Sequence, residues 1–264
     1  MKKRILALVL VIVTVLAAGC APAQGNGDSD IAYIQSKGTL VVGITEYPPM
    51  DYKDDNGNWI GFDADFARLV AEELGVEVEF FVLSDWGQKF NELNTKGIDV
   101  IWNGMTISED VLNNTSCSDP YVLNKQVVVM KADRAAQYTT AESILDLKFA
   151  VEVDSTCKDA LVDTGAENYV EVMDMATAVM EVASGAADAC VIDGTMAGAL
   201  IGEGKAYDDL AVSLILVDEE YGIGCRKGSD LTAKINELIA KYMADGTLQT
   251  LADKYGVKLA NPAE

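Results

Sequence analysis

Short β-rich runs alternate with amphipathic helical runs along this chain, and the alternation stops once and starts again. Leu40–Ile44 is a buried-strand signal. Asp63 stands where an N-cap would precede the apolar helical face of Phe66, Leu69, Val70 and Leu74, which ends at Gly75. Val76, Val78, Phe80 and Val82 then alternate with Glu77 and Glu79, as in a strand with one wetter face. Trp86, Phe90 and Leu93 form the next helical stripe, and Ile98–Trp102 the next strand. A βαβαβ order of this kind predicts a largely parallel sheet covered by helices.

The second round predicts strands at Gln126–Met130, Lys148–Val153, Val170–Val172 and Ala189–Asp193, with helices at Ser155–Val162 and Ala176–Ala183. After Tyr221–Arg226 come two helical stretches, one carrying Leu231, Ile235, Leu238 and Tyr242, the other Leu248–Tyr255. Two helices make too small a core for a third unit, so they are expected to pack back on the first. The expected domains are residues 37–126 plus 219–264 as lobe 1 and 127–218 as lobe 2. A cleft between two α/β lobes lies at the carboxyl ends of the strands, the usual ligand position. The loops after Ile44, Trp102, Val153 and Asp193 should face it.

Charge and composition narrow the function. The 264 residues hold 42 Asp+Glu against 20 Lys+Arg and no histidine, a formal charge of −22. That excludes every histidine-dependent nucleophile, base or zinc site. It also argues against nucleic acid, which needs a basic footprint. Lys2, Lys3 and Arg4 precede an apolar run from Ile5 to Ala18, the form of a secretory signal over residues 1–19. Leu16-Ala17-Ala18-Gly19 before Cys20 resembles a bacterial lipobox, with Ala17 where leucine is most usual. Lipid on Cys20 would anchor the exported body outside the cytoplasmic membrane. Cleavage removes three cations and no acid, deepening the charge to −25. Residues 20–36 are expected to form a flexible tether, on the small, polar composition of Ala21 to Asp30. Cys117, Cys157, Cys190 and Cys225 permit two disulfides in any of three pairings, and no metal spacing is present.

Local motifs are modest by themselves. Asp51 to Gly57 lacks the alternation of a calcium loop and reads as a hairpin turn before Trp59-Ile60. Trp59 and Trp86 are expected in the core. Tyr47 and Trp102 follow strands on the cleft side, where they could stack on an apolar or cationic group. Asp154-Ser155-Thr156 opens a helix whose first N–H groups could hold a carboxylate, or could simply be capped. Asp193 closes the strand Ala189–Asp193 and could pair with an ammonium group, or stand in a surface loop.

Taken in order, these residues resemble a known family. Val42-Gly43 with Tyr47-Pro48-Pro49, Gly61-Phe62-Asp63-Ala64-Asp65, Asp99-Val100-Ile101, Gly104-Met105-Thr106-Ile107, Ser118-Asp119-Pro120-Tyr121 and Asp188–Asp193 are similar to the family 3 bacterial extracellular solute-binding proteins, the amino-acid receptors of ABC importers. The resemblance implies a two-lobed type II periplasmic-binding fold with a two-strand hinge near 122–128 and 216–223. It implies a monomer without cofactor, whose partners are a small-molecule ligand and the ABC permease, and no catalysis. Carried over by position, Tyr47 covers the ligand side chain and Asn103, Gly104 and Thr106 supply polar contacts. Ser155 and Thr156 hold the carboxylate, Asp193 the α-ammonium, and Glu46 selects a cationic or amide side chain. One departure limits the ligand: the family's carboxylate-clamping arginine falls on Val111. Thr106, helix N–H groups and Lys158 are left as anion contacts. A ligand that is an amine or quaternary ammonium without a carboxylate is therefore an alternative, and a dehydratase on the same fold another.

Overall fold

The computed structural model describes residues 29–260, so the signal segment, Cys20 and most of the tether lie outside the described residues. The first described element is not tether but helix. α1 (Asp30–Lys37) is capped by Ser29, whose hydroxyl accepts from the Ala32 N–H, and by Gly38 in the left-handed conformation. It is docked by Arg226, which is buried and donates to the Asp30 carboxylate at 2.8–3.2 Å, to the Ile98 carbonyl at 2.8 Å and to Asp99 at 3.3 Å.

The first lobe continues through β1 (Thr39–Ile44), β2 (Tyr52–Lys53), β3 (Trp59–Ile60), α2 (Phe62–Leu74), β4 (Glu77–Val82), α3 (Lys89–Asn94), β5 (Val100–Ile101), α4 (Glu109–Asn114) and β6 (Ser116–Cys117). β2 and β3 form the expected hairpin, its turn held by Asp54, whose carboxylate accepts from the N–H groups of Asn56 and Asn58. β7 (Val122–Lys131) leads into the second lobe, made of α5 (Ala132–Ala135), β8 (Phe149–Glu152), α6 (Thr156–Val162), β9 (Tyr169–Val172), α7 (Met175–Ser184), β10 (Ala189–Asp193) and α8 (Gly194–Leu200). β11 (Leu210–Tyr221) returns the chain to β12 (Gly224–Cys225), α9 (Leu231–Ala244) and α10 (Thr247–Tyr255).

Two five-stranded sheets result, in the orders β4-β1-β5-β12-β6 and β11-β7-β10-β8-β9. β1 pairs in parallel with β4 and β5, and β8 in parallel with β9 and β10, as the alternation requires. β7 and β11 pair antiparallel from Val122↔Tyr221 to Lys131↔Leu210, so the two crossings are one long ribbon. α9 and α10 return to the first lobe, where Tyr242 packs edge-on against Phe66 and Tyr255 donates to Asp65 at 2.6 Å. All four described cysteines are free thiols. No helix among the described residues is long and apolar enough to cross a membrane.

Helix starts carry measurable stability. α7 is capped by Asp174, whose carboxylate accepts from the Thr177 N–H at 2.7 Å. Asp174→Ala is expected to cost about 1 kcal/mol in urea unfolding, with an unchanged m value. The expected cap at Asp63 is not one. Gly61 holds the N-cap position at φ 131°, a conformation open to glycine, and Asp63 turns inward.

Candidate functional site

The loops that follow β1, β5, β8 and β10 meet between the lobes. They enclose a cavity of about 50 Å³ for water-sized molecules, lined from one side by Thr45, Trp86, Lys89, Asn103, Gly104 and Val111 and from the other by Glu152, Ser155, Thr156 and Asp193. The lobes touch across it. Lys89 donates its ammonium to the Asp154 carbonyl at 2.9 Å, and the Thr106 and Thr156 hydroxyls lie 3.2 Å apart.

Six of the residues expected from the sequence come together here: Asn103, Gly104, Thr106, Ser155, Thr156 and Asp193. Their roles divide. The Asn103 amide is fully engaged within its own lobe. It accepts from the Thr45 N–H and hydroxyl at 2.9 and 2.7 Å, and donates to the Thr45 carbonyl and Asp51. This ties the loop after β5 to the loop after β1. Gly104 sits at φ 57°, its N–H donating to Asp63 at 2.7 Å, and a Cβ there would lie 2.4 Å from the Tyr47 ring. Only glycine lets the backbone pass this close. Ser155 caps α6, its hydroxyl accepting from the Lys158 N–H and donating to the Glu152 carbonyl.

Three expected site residues are elsewhere. Glu46 is exposed and outside the cavity lining, between the buried Thr45 and Tyr47. Trp102 lies in the first-lobe core, its ring 4.8 Å from Phe66 in an edge contact. It points to the helix side of the sheet, where burying an indole stabilises the lobe. Tyr47 is fully buried behind Gly104, edge-on to Tyr221 and hydrogen-bonded to its hydroxyl. Lys158 is also spent, pairing with Glu171 at 2.9 Å. Trp86, expected in the core, is buried in an apolar cluster and also lines the cavity.

Charge in the site is unbalanced. Asp193 is buried at the end of β10, where one oxygen accepts from Asn124 at 2.9 Å and Gln126 at 2.5 Å. The same two amides donate to Glu219 at 2.6 and 2.8 Å. Burial pushes the Asp193 carboxyl above the ordinary range, while burial and then the Asp193 charge raise Glu219 to about 8. Glu152, at the end of β8, is buried, its Oε1 without a partner among the described residues, and is likewise raised by burial first, then by Asp193. Among the described residues lining the cavity, Lys89 is the one cationic side chain. Burial pulls its pKa below the lysine range, against the nearby charges of Glu152 and Asp154.

Sequence reasoning passed over Lys89 and Glu152. A signal existed for each: Lys89 falls three residues after Trp86 on the apolar stripe, and Glu152 interrupts an otherwise apolar strand.

Comparison with known proteins agrees with this architecture. The model of the bacterial extracellular solute-binding proteins, family 3, matches residues 40–258. The L-cystine-binding protein TcyJ of Escherichia coli (strain K12) is 30% identical over 253 residues, 94% of each chain. The crystal structure of the P235GK mutant of ArgBP from T. maritima superposes with a TM-score of 0.79 at 31% identity, covering 86% of this chain and 99% of that one. That of the ancestral amino acid-binding protein AncCDT-1, a precursor of cyclohexadienyl dehydratase, gives 0.79 at 32%, again over 86% and 99%. With two sheets, an antiparallel two-strand connection and a closed cavity at the strand ends, the chain belongs to the bacterial extracellular solute-binding proteins, family 3.

Proposed function

We propose that this protein captures an amino acid between its lobes and presents it to the membrane subunits of an ABC importer. The observation that carries the reading is the buried Asp193 at the mouth of β10. It is a carboxylate held by two amides, facing a cavity lined by both lobes. A ligand ammonium there replaces the solvation that burial removed, and does so only when the lobes are shut. Glu152, with an oxygen that has no partner among the described residues, offers a second acceptor for a cationic ligand group. Solute-binding relatives named for cystine and arginine support an amino acid over a bare amine, and the ancestral neighbour is itself an amino acid-binding protein. The acid-rich lining favours ligands with a cationic side chain.

The protein acts as a monomer, is exported by residues 1–19 and is tethered by lipid on Cys20. Cys20→Ala should release it from membranes into the soluble fraction of intact cells; continued membrane retention contradicts the anchor. The ligand itself is tested by mass spectrometry of small molecules set free when the purified protein is denatured. An amino acid at near one-to-one stoichiometry is expected. Recovery of an amine or a carboxylic acid without an amino group contradicts the reading.

A further inference from the structure

Lys89 opens α3 with its side chain turned inward, only 4% of the residue exposed. Its ammonium donates to the Trp86 carbonyl at 3.3 Å and the Asp154 carbonyl at 2.9 Å. A lysine ammonium has three donors, so one is left over. No carboxylate lies within 4.0 Å of it among the described residues, although Asp110, Glu152, Asp154 and Asp159 line the same cavity. A buried ammonium held by two neutral carbonyls is costly to keep. The cost is offset when an anion arrives.

Two further features give the position meaning. Val111 lines the same cavity and belongs to an apolar cluster with Trp86 and Met105, so no cation approaches from α4. The Asp154 carbonyl that Lys89 grips belongs to the opposite lobe, on a residue held at φ 49°. Residues other than glycine seldom adopt that conformation. The ammonium thus sits where a ligand, the first lobe and the second lobe meet.

We propose that Lys89 is the specificity-determining residue that receives the ligand's carboxylate, and that its bond to Asp154 makes lobe closure the act that completes this contact. The assignment rests on the amino-acid reading above and deepens it. Asp193 and Lys89 then mark the two ends of a zwitterion, with Glu152 between the lobes for a further positive group. An amine lacking the carboxylate leaves the third donor of Lys89 unfilled, which is the basis for rejecting it.

The test is calorimetric titration of the mature chain with matched pairs: L-arginine and agmatine, L-histidine and histamine, L-lysine and cadaverine. The unaltered protein is expected to favour the amino acid of the pair it binds. Lys89→Gln keeps a donor for the two carbonyls without the charge. It should weaken the amino acid on the order of 30-fold or more and leave the amine within about threefold, so the preference collapses. Lys89→Arg, which keeps the charge, should retain most of the preference and guards against a folding defect. If Lys89→Gln weakens both members alike, or leaves the preference intact, Lys89 does not read the carboxylate although the receptor reading stands. If the unaltered protein binds neither member of any pair, the comparison moves to the amino acid it does bind and that amino acid's decarboxylated amine; saturable binding of no amino acid at all sinks the receptor reading and takes this assignment with it.

Discussion

Asp193→Asn is expected to lower affinity for the bound amino acid about 100-fold while leaving the melting temperature of the empty protein unchanged or higher. The asparagine is nearly isosteric, and its carbonyl still accepts from Asn124 and Gln126. What it removes is a negative charge in a space that water cannot screen. Removing one partner of a buried charge pair costs about 2–5 kcal/mol of binding. The empty protein responds in the opposite sense, because burial already raises the Asp193 carboxyl above its ordinary range, with Glu219 drawing on the same two amides. An uncharged group relieves that cost. Titration calorimetry paired with a thermal melt separates the two effects. An equal fall in both would mean that Asp193 serves the fold rather than the ligand.

The second large effect concerns pH. Burial raises Asp63 to about 7 and Glu219 to about 8 in the folded protein. In the unfolded chain such groups titrate near 4. Between those values the folded state holds protons that the unfolded state has released, so stability is fully present below about pH 4 and is lost as the pH rises through about 8. Each group contributes a slope of about 1.4 kcal/mol per pH unit within its own interval. For Asp63 alone the fall from pH 4.5 to 7 is on the order of 3 kcal/mol. Self-repulsion within a chain of charge −22 acts in the same direction. Urea unfolding at pH 5 and pH 7.5 should show the empty protein clearly more stable at the lower value. Asp63→Asn, which can still accept from the Gly104 N–H and meet the Tyr121 hydroxyl, should shrink the difference by Asp63's share and leave that of Glu219. A stability that rises with pH over this range contradicts the account.

The parts of this fold that were legible in the sequence are those that periodicity controls. β10 was expected at Ala189–Asp193 and is found there, and α7 differs from its expected bounds by one residue at each end. Short strands were overestimated. Ile98–Trp102 reads as five strand residues, but β5 is only Val100–Ile101, in two-residue registers with β1 on one side and β12 on the other. The cleft was legible because strand ends and the loops after them follow a general rule of α/β sheets, which brought Ser155 and Asp193 to it; Gly104 came only with the family resemblance.

The misplacements have one cause: a side chain's neighbours across the cleft are invisible to local pattern. An aromatic after a strand is a sign of burial, yet nothing in the sequence says on which side of the sheet Trp102 lies. Lys89 and Glu152 draw no notice in the sequence, because what gives each its place is the opposite lobe for Lys89 and the position of β8 between β9 and β10 for Glu152. Asp63 reads as a cap until the loop carrying Gly104 arrives to donate to it. In each case the deciding partner is far away in sequence or on the opposite lobe.

The central claim is that the cavity between the lobes is built for an amino acid. Titration calorimetry of the mature chain, stripped of bound solute by unfolding and refolding, against the common amino acids, ornithine and cystine tests it most directly. Saturable one-to-one binding of at least one of them, strongest among those with a cationic or second ammonium-bearing side chain and much weakened by Asp193→Asn, is the expected result. Absence of saturable heat across the whole set, from protein shown to have refolded, would contradict the account.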